Sequence, residues 1–240
     1  MEPTSQILQP EATRDRTRGL MEVTVASVVF ALHNDNLGIL AVRPSEHAAW
    51  TLPRYTFQSG MGLADAATLA IKQVTNIPVR EFFQVSVVTS PDMASPTLEV
   101  GFLAATWITT DEVSLTDQAS KTGTEARWLP ISETQRLVPS AKALVENATQ
   151  ELRRRSRFDR IIFSLLPSEF SLSELQQAFE IVIGRNIDVR NFRKKMESMK
   201  ILEESPHKPR GMAHRPPRLF SFSPSLYATL QQEDPEVRFF

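Results

Sequence analysis

Between Ser171 and Phe222, two short helical patterns joined by a glycine turn run into a basic, proline-rich hairpin, an order satisfied by a winged helix-turn-helix. Ser171 stands three residues before Glu174 and just ahead of Leu172, Leu175, Phe179, Val182 and Ile183, which predicts a capping box opening an amphipathic helix. Gly184 ends it. Asp188 is placed to cap a second helix, in which Val189, Phe192, Met196 and Met199 step by three and four and share a face. At about 100° per residue, Arg190, Arg193 and Lys194 fall on the opposite side and span roughly a third of the circumference. Ile201 to Glu204 and Arg218 to Phe222 then read as strands around a loop that carries Lys208, Arg210, His214 and Arg215.

A basic helix by itself is as well explained by a solvated face on an ordinary core helix. The distribution of charge along the chain argues for more. Of 27 Lys and Arg and 28 Asp and Glu, the segment from Glu151 to Phe220 holds 15 and 9, a net of +6, which leaves 12 against 19, or −7, elsewhere. A net charge of −1 thus hides a basic C-terminal third, as expected where one domain binds a polyanion and the other does not. The absence of cysteine excludes disulfides and thiolate metal sites, and His33, His47, His207 and His214 lack ligand spacing, so neither metal nor cofactor is expected. No apolar run approaches the roughly 18 to 20 residues needed to cross a bilayer, and Glu2, Glu11 and Asp15 interrupt any signal-like core. The expected location is cytoplasmic.

Residues 1 to 20 are polar, with Pro3 and Pro10 and no periodicity, and read as a disordered arm. Strands are predicted over Val23 to Leu32, Leu37 to Val42, Phe82 to Thr89, Leu98 to Ile108 and Ala126 to Leu129. Apolar side chains at 63, 67, 70, 71 and 74 predict a helix that Asn76 and Pro78 end, and Pro139 to Arg157 predicts another. Strands interrupted by a helix point to an α+β fold with a mixed sheet. The second helix leads without a Gly or Pro break into Arg153, Arg154, Arg155 and Arg157, and is read either as a stiff coupling rod or as a plain linker with a solvated basic end.

The stretch WTLPRYTFQSGMGLADAATLAIKQVTNI resembles the surroundings of a Nudix box, G-x5-E-x7-R-E-U-x-E-E-x-G-U with U apolar. With Trp50, Leu52, Pro53, Gly60, Leu63 and Ala66 set on the family frame, Tyr55 falls at the first box glycine and Met61 at the box glutamate. Leu69 replaces the arginine, Ala70 its neighbouring glutamate, Gln73 and Val74 the paired glutamates, and Asn76 the final glycine; Ile71 and Ile77 keep to the pattern. Those glutamates hold Mg²⁺, a hard cation that requires oxygen ligands. With Met61, Ala70, Gln73 and Val74 in their places, no Nudix-type hydrolysis is expected. FQVSVVTSPDMASPTLEVGFLAAT and ARWLPISE resemble the segments that follow the box.

FDRIIFSLLPSEFSLSELQQAFEIVIGRNIDVRNFRKKMESMKILEE, followed by HRPPRLFSFSP, is very similar to the C-terminal winged helix of Nudix-related transcriptional regulators, the NrtR family. The resemblance covers about residues 21 to 223. It implies an N-terminal Nudix-like mixed-sheet α/β/α sandwich over 21–138, a linker helix over 139–157 and a winged helix over 158–225, with 226–240 as a C-terminal tail. It further implies a homodimeric repressor on an inverted-repeat DNA operator, often of NAD cofactor or sugar metabolism genes, with the Nudix-like domain sensing a nucleotide effector such as ADP-ribose.

Carried over position by position, Asn191, Arg193, Lys194 and Lys195 occupy the recognition-helix motif and Arg215 with Pro216 the wing motif. Arginine suits a bidentate contact to guanine and asparagine one to adenine, while lysines hold phosphates. Ser171 and Ser173, at a helix start, are candidate phosphate donors, and Arg190, Lys208, Arg210 and His214 complete the expected DNA-binding set. Effector sensing carries over less well, because Met93, Ala94, Ser95, Pro96 and Thr97 stand where ADP-ribose-responsive regulators show an arginine-containing loop, and Val138, Pro139 and Ser140 stand near an absent Asp-His pair. Arg43 and Arg54 remain as cations for a diphosphate, with Tyr55 and Phe57 as aromatics to stack on a base. Two alternatives stay open: a divergent Nudix-type nucleotide pyrophosphohydrolase using Glu46, Asp92 or Glu99, and a nonspecific nucleic-acid adaptor.

Overall fold

The β-branched run after residue 21 forms the centre of a sheet. A computed structural model of the chain describes residues 22–33, 35–89, 97–109, 123–206 and 217–240. Strands β1 (Glu22–His33) and β2 (Asn36–Arg43) form a hairpin whose turn places Asp35 at φ 58. The short β3 (Arg54–Thr56) pairs antiparallel with β1. β4 (Phe83–Thr89), β5 (Thr97–Ala105) and β6 (Glu125–Pro130) complete a six-stranded sheet in the order β4-β5-β1-β2-β6, with β1 and β5 parallel and the other pairs antiparallel. The sheet is therefore mixed. The arm predicted over 1–20 and the loop residues 92–96 lie outside the described residues.

Alternation along β1 directs successive side chains to opposite faces. Val25, Val29 and Ala31 pack against Ala66, Ala67 and Ile71 of helix α1 (Leu63–Lys72), while Ala26, Val28 and Phe30 join Ala141, Leu144 and Ala148 of helix α2 (Pro139–Arg155). This makes an α/β/α sandwich. At Gly101 a Cβ would come within 2.5 Å of Leu144 Cδ2, so glycine lets α2 sit close on β5.

The helix read as a coupling rod is thus not free of the sandwich. Its apolar stripe Ala141, Leu144, Val145, Ala148 and Leu152 is buried as one layer of that domain, and it stops at Arg155, two residues short of the predicted end. A 3₁₀ segment over Arg160–Leu165 follows, and its Ile161, Ile162, Phe163 and Leu165 continue the same core into the C-terminal half. Burial at about 25 cal/mol per Å² of apolar surface explains why a helix with such a stripe does not stand alone.

Arg54 and Glu99 tie the sandwich together where β3 and β5 flank β1. Glu99 is only 3% exposed, lies 3.2 Å from the Arg54 guanidinium, and accepts a hydrogen bond from Ser140 at the start of α2. Removing one partner of such a pair strands the other charge in the interior. Arg54→Met should therefore lower unfolding stability by about 3 kcal/mol, and adding Glu99→Gln should recover most of the loss in urea titrations.

Beyond the 3₁₀ segment come β7 (Phe170–Ser171), helix α3 (Leu172–Ile183), helix α4 (Val189–Met199), β8 (Leu202–Glu204) and β9 (Leu219–Phe222), with the strands ordered β7-β9-β8. The capping box forms as the spacing predicts: Glu174 N–H donates to Ser171 Oγ, and Ser171 N–H donates to the Glu174 carboxylate. Gly184 ends α3 at φ 76, a conformation that costs an L side chain about 1 to 2 kcal/mol. Asp188 caps α4 by accepting from Asn191 N–H at 2.8 Å.

The residues set apart as a C-terminal tail are built into the domain. Helix α5 (Pro224–Glu233) begins before the expected boundary at 225, and Val237 and Phe239 return to the core. Tyr227 donates to the Phe158 carbonyl at 2.8 Å, and Phe239 N–H donates to the Arg157 carbonyl at 2.6 Å. The aromatic spacing explains this: Tyr227 and Phe239 stack at 6.1 Å, and Phe239 also meets Phe163 and Phe179.

Burial, with the Asp159 carboxylate adding to it, pushes the Tyr227 phenol up to about 12. The folded chain holds that proton more tightly than the unfolded chain, whose phenol titrates near 10. The resulting stability is present below pH 10 and lost as pH rises through about 12. Tyr227→Phe should cost about 1 kcal/mol at neutral pH through the lost hydrogen bond, and the difference from the parent should narrow as pH passes from 10 to 12 in urea unfolding.

Candidate nucleic-acid interface

Two side chains fix the turn that presents α4. The Glu180 carboxylate accepts from Ile187 N–H at 2.7 Å and from Gln176 Nε2 at 3.0 Å, while the same Gln176 nitrogen donates to the Ile187 carbonyl. Phe192, Met196 and Met199 are buried beneath α4, with Phe192 set edge-on to Phe179 at 5.9 Å. Arg190, Asn191, Arg193 and Lys194 are exposed on the outer side, and Lys195 is half-buried at its edge. Arg190, Arg193 and Lys194 make no ion pair with any described residue. Among the described residues nothing neutralises their charges, as phosphate and base contacts require.

Not every expected member joins this face. Ser171 is 6% exposed and its hydroxyl caps α3, so burial removes it from any phosphate contact; Ser173, two residues on, is exposed. Val189, read as part of the buried stripe, is 50% exposed because it sits in the first turn of α4, beyond the reach of the core. Lys208, Arg210, His214 and Arg215 lie outside the described residues. The arginine run at the end of α2 is largely engaged within the protein: Arg154 and Arg155 bind Glu151, Arg155 also binds Asp159, and Arg153 donates to the Val182 carbonyl at 3.1 Å. The Arg154 hydrogen bond, with Arg155 contributing, holds the Glu151 carboxyl below the usual carboxylate range.

The four residues expected at an effector cleft are split between the faces of the sheet. Tyr55 and Phe57 pack on the α1 side with Val25 and Phe102, whereas Arg54 pairs in register with Ala26 on the α2 side and is held by Glu99. Adjacent residues of one strand cannot share a face. Arg43 is also engaged: it binds Glu125 across the strand pair, donates to the Glu46 carbonyl, and stacks 4.7 Å above the Trp50 ring. Arg127 and Arg136 approach the same ring at 5.8 and 5.9 Å, a cluster that the sequence reading missed because its members come from three separate segments.

At the box positions, Met61 precedes α1, Ala70 is buried, Gln73 caps the helix and Val74 follows it. Asp65 accepts from Gly62 N–H at 3.3 Å, a local capping bond. No group of three His, Cys, Asp or Glu placed to hold a metal ion occurs among the described residues. Glu99, named above as an alternative catalytic carboxylate, is occupied by Arg54 and Ser140. No helix among the described residues is long and apolar enough to cross a membrane.

Residues 162–222 match the NrtR DNA-binding winged helix domain. The ADPR responsive transcriptional repressor NtrR of Acinetobacter baylyi is 31% identical over 80 residues, a match spanning 33% of this chain and 32% of that protein. The crystal structure of Shewanella oneidensis NrtR complexed with a 27mer DNA aligns at a TM-score of 0.72 with 22% identity, covering 86% of this chain and 95% of that one. A MutT/nudix family protein from Enterococcus faecalis aligns at 0.65 with 17% identity, covering 86% and 89%. Residues 162–222 thus form a winged helix of the NrtR DNA-binding type, and the mixed-sheet sandwich joined to it in one continuous fold gives the chain the fold of the NrtR structure.

Proposed function

We propose that the chain is a sequence-specific DNA-binding transcriptional regulator, a repressor acting as a homodimer on an inverted repeat, whose Nudix-like domain does not hydrolyse its ligand. The single observation that carries this reading is the exposed cationic side of α4, without an ion-pair partner among the described residues and held outward by the buried Phe192 and Met196. Arg193, Arg190 and Asn191 are assigned to base edges, and Lys194 and Lys195 to phosphates. Ser173 and the wing residues Lys208, Arg210, His214 and Arg215 complete the proposed contact set. Two wings joined in one dimer raise specificity through effective concentration, which favours a dimer over a single small reading head.

The replacement of the box carboxylates by Met61, Ala70, Gln73 and Val74 supports a non-catalytic Nudix-like domain. An ADP-ribose-type nucleotide is the proposed effector, supported by the responsiveness named for the Acinetobacter baylyi relative. NAD cofactor or sugar metabolism genes are the proposed targets. For such a ligand to regulate, it must bind one arrangement of the domains better than the other.

Selection of binding sites from random duplexes with the full chain should return an inverted repeat. On that site Arg193→Ala should weaken binding by about 1 to 3 kcal/mol and relax base preference, whereas Lys194→Ala should weaken specific and random duplexes alike. Equal losses for both variants would remove the base-reading role of Arg193, and failure to enrich any sequence would sink the regulator reading. ADP-ribose at a hundredfold excess over its dissociation constant should stabilise the fold by about 2.7 kcal/mol, seen as a rise in melting temperature, with no magnesium-dependent turnover. Turnover would favour the pyrophosphohydrolase alternative.

A further inference from the structure

The matched winged-helix domain ends at residue 222, yet the chain continues past β9 into a strap that returns to the back of the recognition helix α4. Its anchoring is unusually complete. Phe239 is 1% exposed and hydrogen-bonded to the Arg157 carbonyl, and Phe240 lies parallel to Phe192 at 5.6 Å and edge-on to Phe179 at 5.0 Å. Between these two anchored rings and the buried Val237, Arg238 is held outward. It lines a cavity of about 490 Å³ together with Arg185 of the helix-turn-helix turn and Asn191 and Lys195 on the adjoining flank of α4. Neither Arg185, Lys195 nor Arg238 is ion-paired with any described residue.

We propose that this strap is a second DNA-contacting element, in which Arg238, with Arg185 and Lys195, holds a backbone phosphate beside the recognition helix. The inference rests on the DNA-binding reading above. A major groove about 12 Å wide is nearly filled by a helix about 10 to 12 Å across, so the flanks of that helix face the sugar–phosphate walls and its outermost side faces base edges. Arg190 and Arg193 occupy the outermost side, whereas Lys195 lies on the flank nearest the strap, one turn on from Asn191, which stands between the two. Three guanidinium and ammonium groups around one concavity suit a phosphate, because guanidinium gives paired N–H donors, and the acidic side chain among the cavity residues, Asp188, is engaged in capping α4. The buried Phe239 sets the backbone of its neighbour in advance, so little side-chain and chain entropy is lost on contact.

Arg238→Ala, measured in the full chain on the selected operator and on a random duplex, tests the assignment through salt dependence. Each phosphate contact contributes about 0.9 to the slope of log K against log salt, so the slope should fall by about 0.9 for each bound protomer. Affinity should drop by the same factor on both duplexes, with the melting temperature unchanged because the side chain is exposed, and Arg238→Lys should restore most of the slope. An unchanged slope, or a loss confined to the operator, would overturn the phosphate assignment while leaving the regulator reading intact. A parent protein that binds neither duplex would instead bring down the reading on which the proposal rests.

Discussion

One continuous apolar core carries both halves of this molecule. Leu144, Ala148 and Leu152 on the inner side of α2 pack on the sheet and run, through Ile161, Ile162 and Phe163, into the same cluster as Phe170, Phe179 and Phe192 of the winged helix. Rings supply much of that continuity: Phe163 meets Phe170, Phe222 and Phe239, and Phe179 meets Phe192, Phe239 and Phe240. Aromatic pairs add about 0.5 to 1.5 kcal/mol each beyond the area they bury and prefer defined geometry. The recognition helix is therefore seated on a core that is also the underside of the Nudix-like domain.

Polar contacts reinforce the seat. Arg153 at the end of α2 grips the last turn of α3, Gln177 of α3 donates to Asp35 in the β1–β2 turn, and Arg160 pairs with Glu81 ahead of β4. A change in the sandwich that moves α2 or the β1–β2 turn moves the helix-turn-helix with it, because packed interiors shift as units. Coupling between the sandwich and the cationic side of α4 needs such a shared element rather than a free rod. Here the single apolar stripe of α2 lies in the core that both domains share.

Legibility followed the range of the interaction. The capping box at Ser171, the left-handed Gly184 and the Asp188 cap depend on residues within four positions of each other, so spacing alone announced them. The same local reasoning misassigned Ser171 as a phosphate donor, since a hydroxyl engaged in capping and 6% exposed has no free surface. Val189 carried the right periodicity for burial but lies one turn beyond the hydrophobic seat. Periodicity specifies direction around a helix, and only the packed neighbours specify where the core ends.

Strand register separated residues that adjacency in sequence grouped together: Arg54 and Tyr55 are neighbours in the chain and point to opposite sides of the sheet. Pairings such as Arg54 with Glu99, Arg43 with Glu125, and Phe240 with Phe192 join segments 45, 82 and 48 positions apart, and no local pattern encodes them. By itself the sequence determined helices α1 to α4, the caps of α3 and α4, and the cationic side of α4, because each follows from residue type and short-range spacing. Only the tertiary structure decided which cations stay free for a polyanion, that α2 is a layer of the sandwich, and that the last residues return beneath the recognition helix. Those outcomes depend on which distant surfaces exclude water from one another.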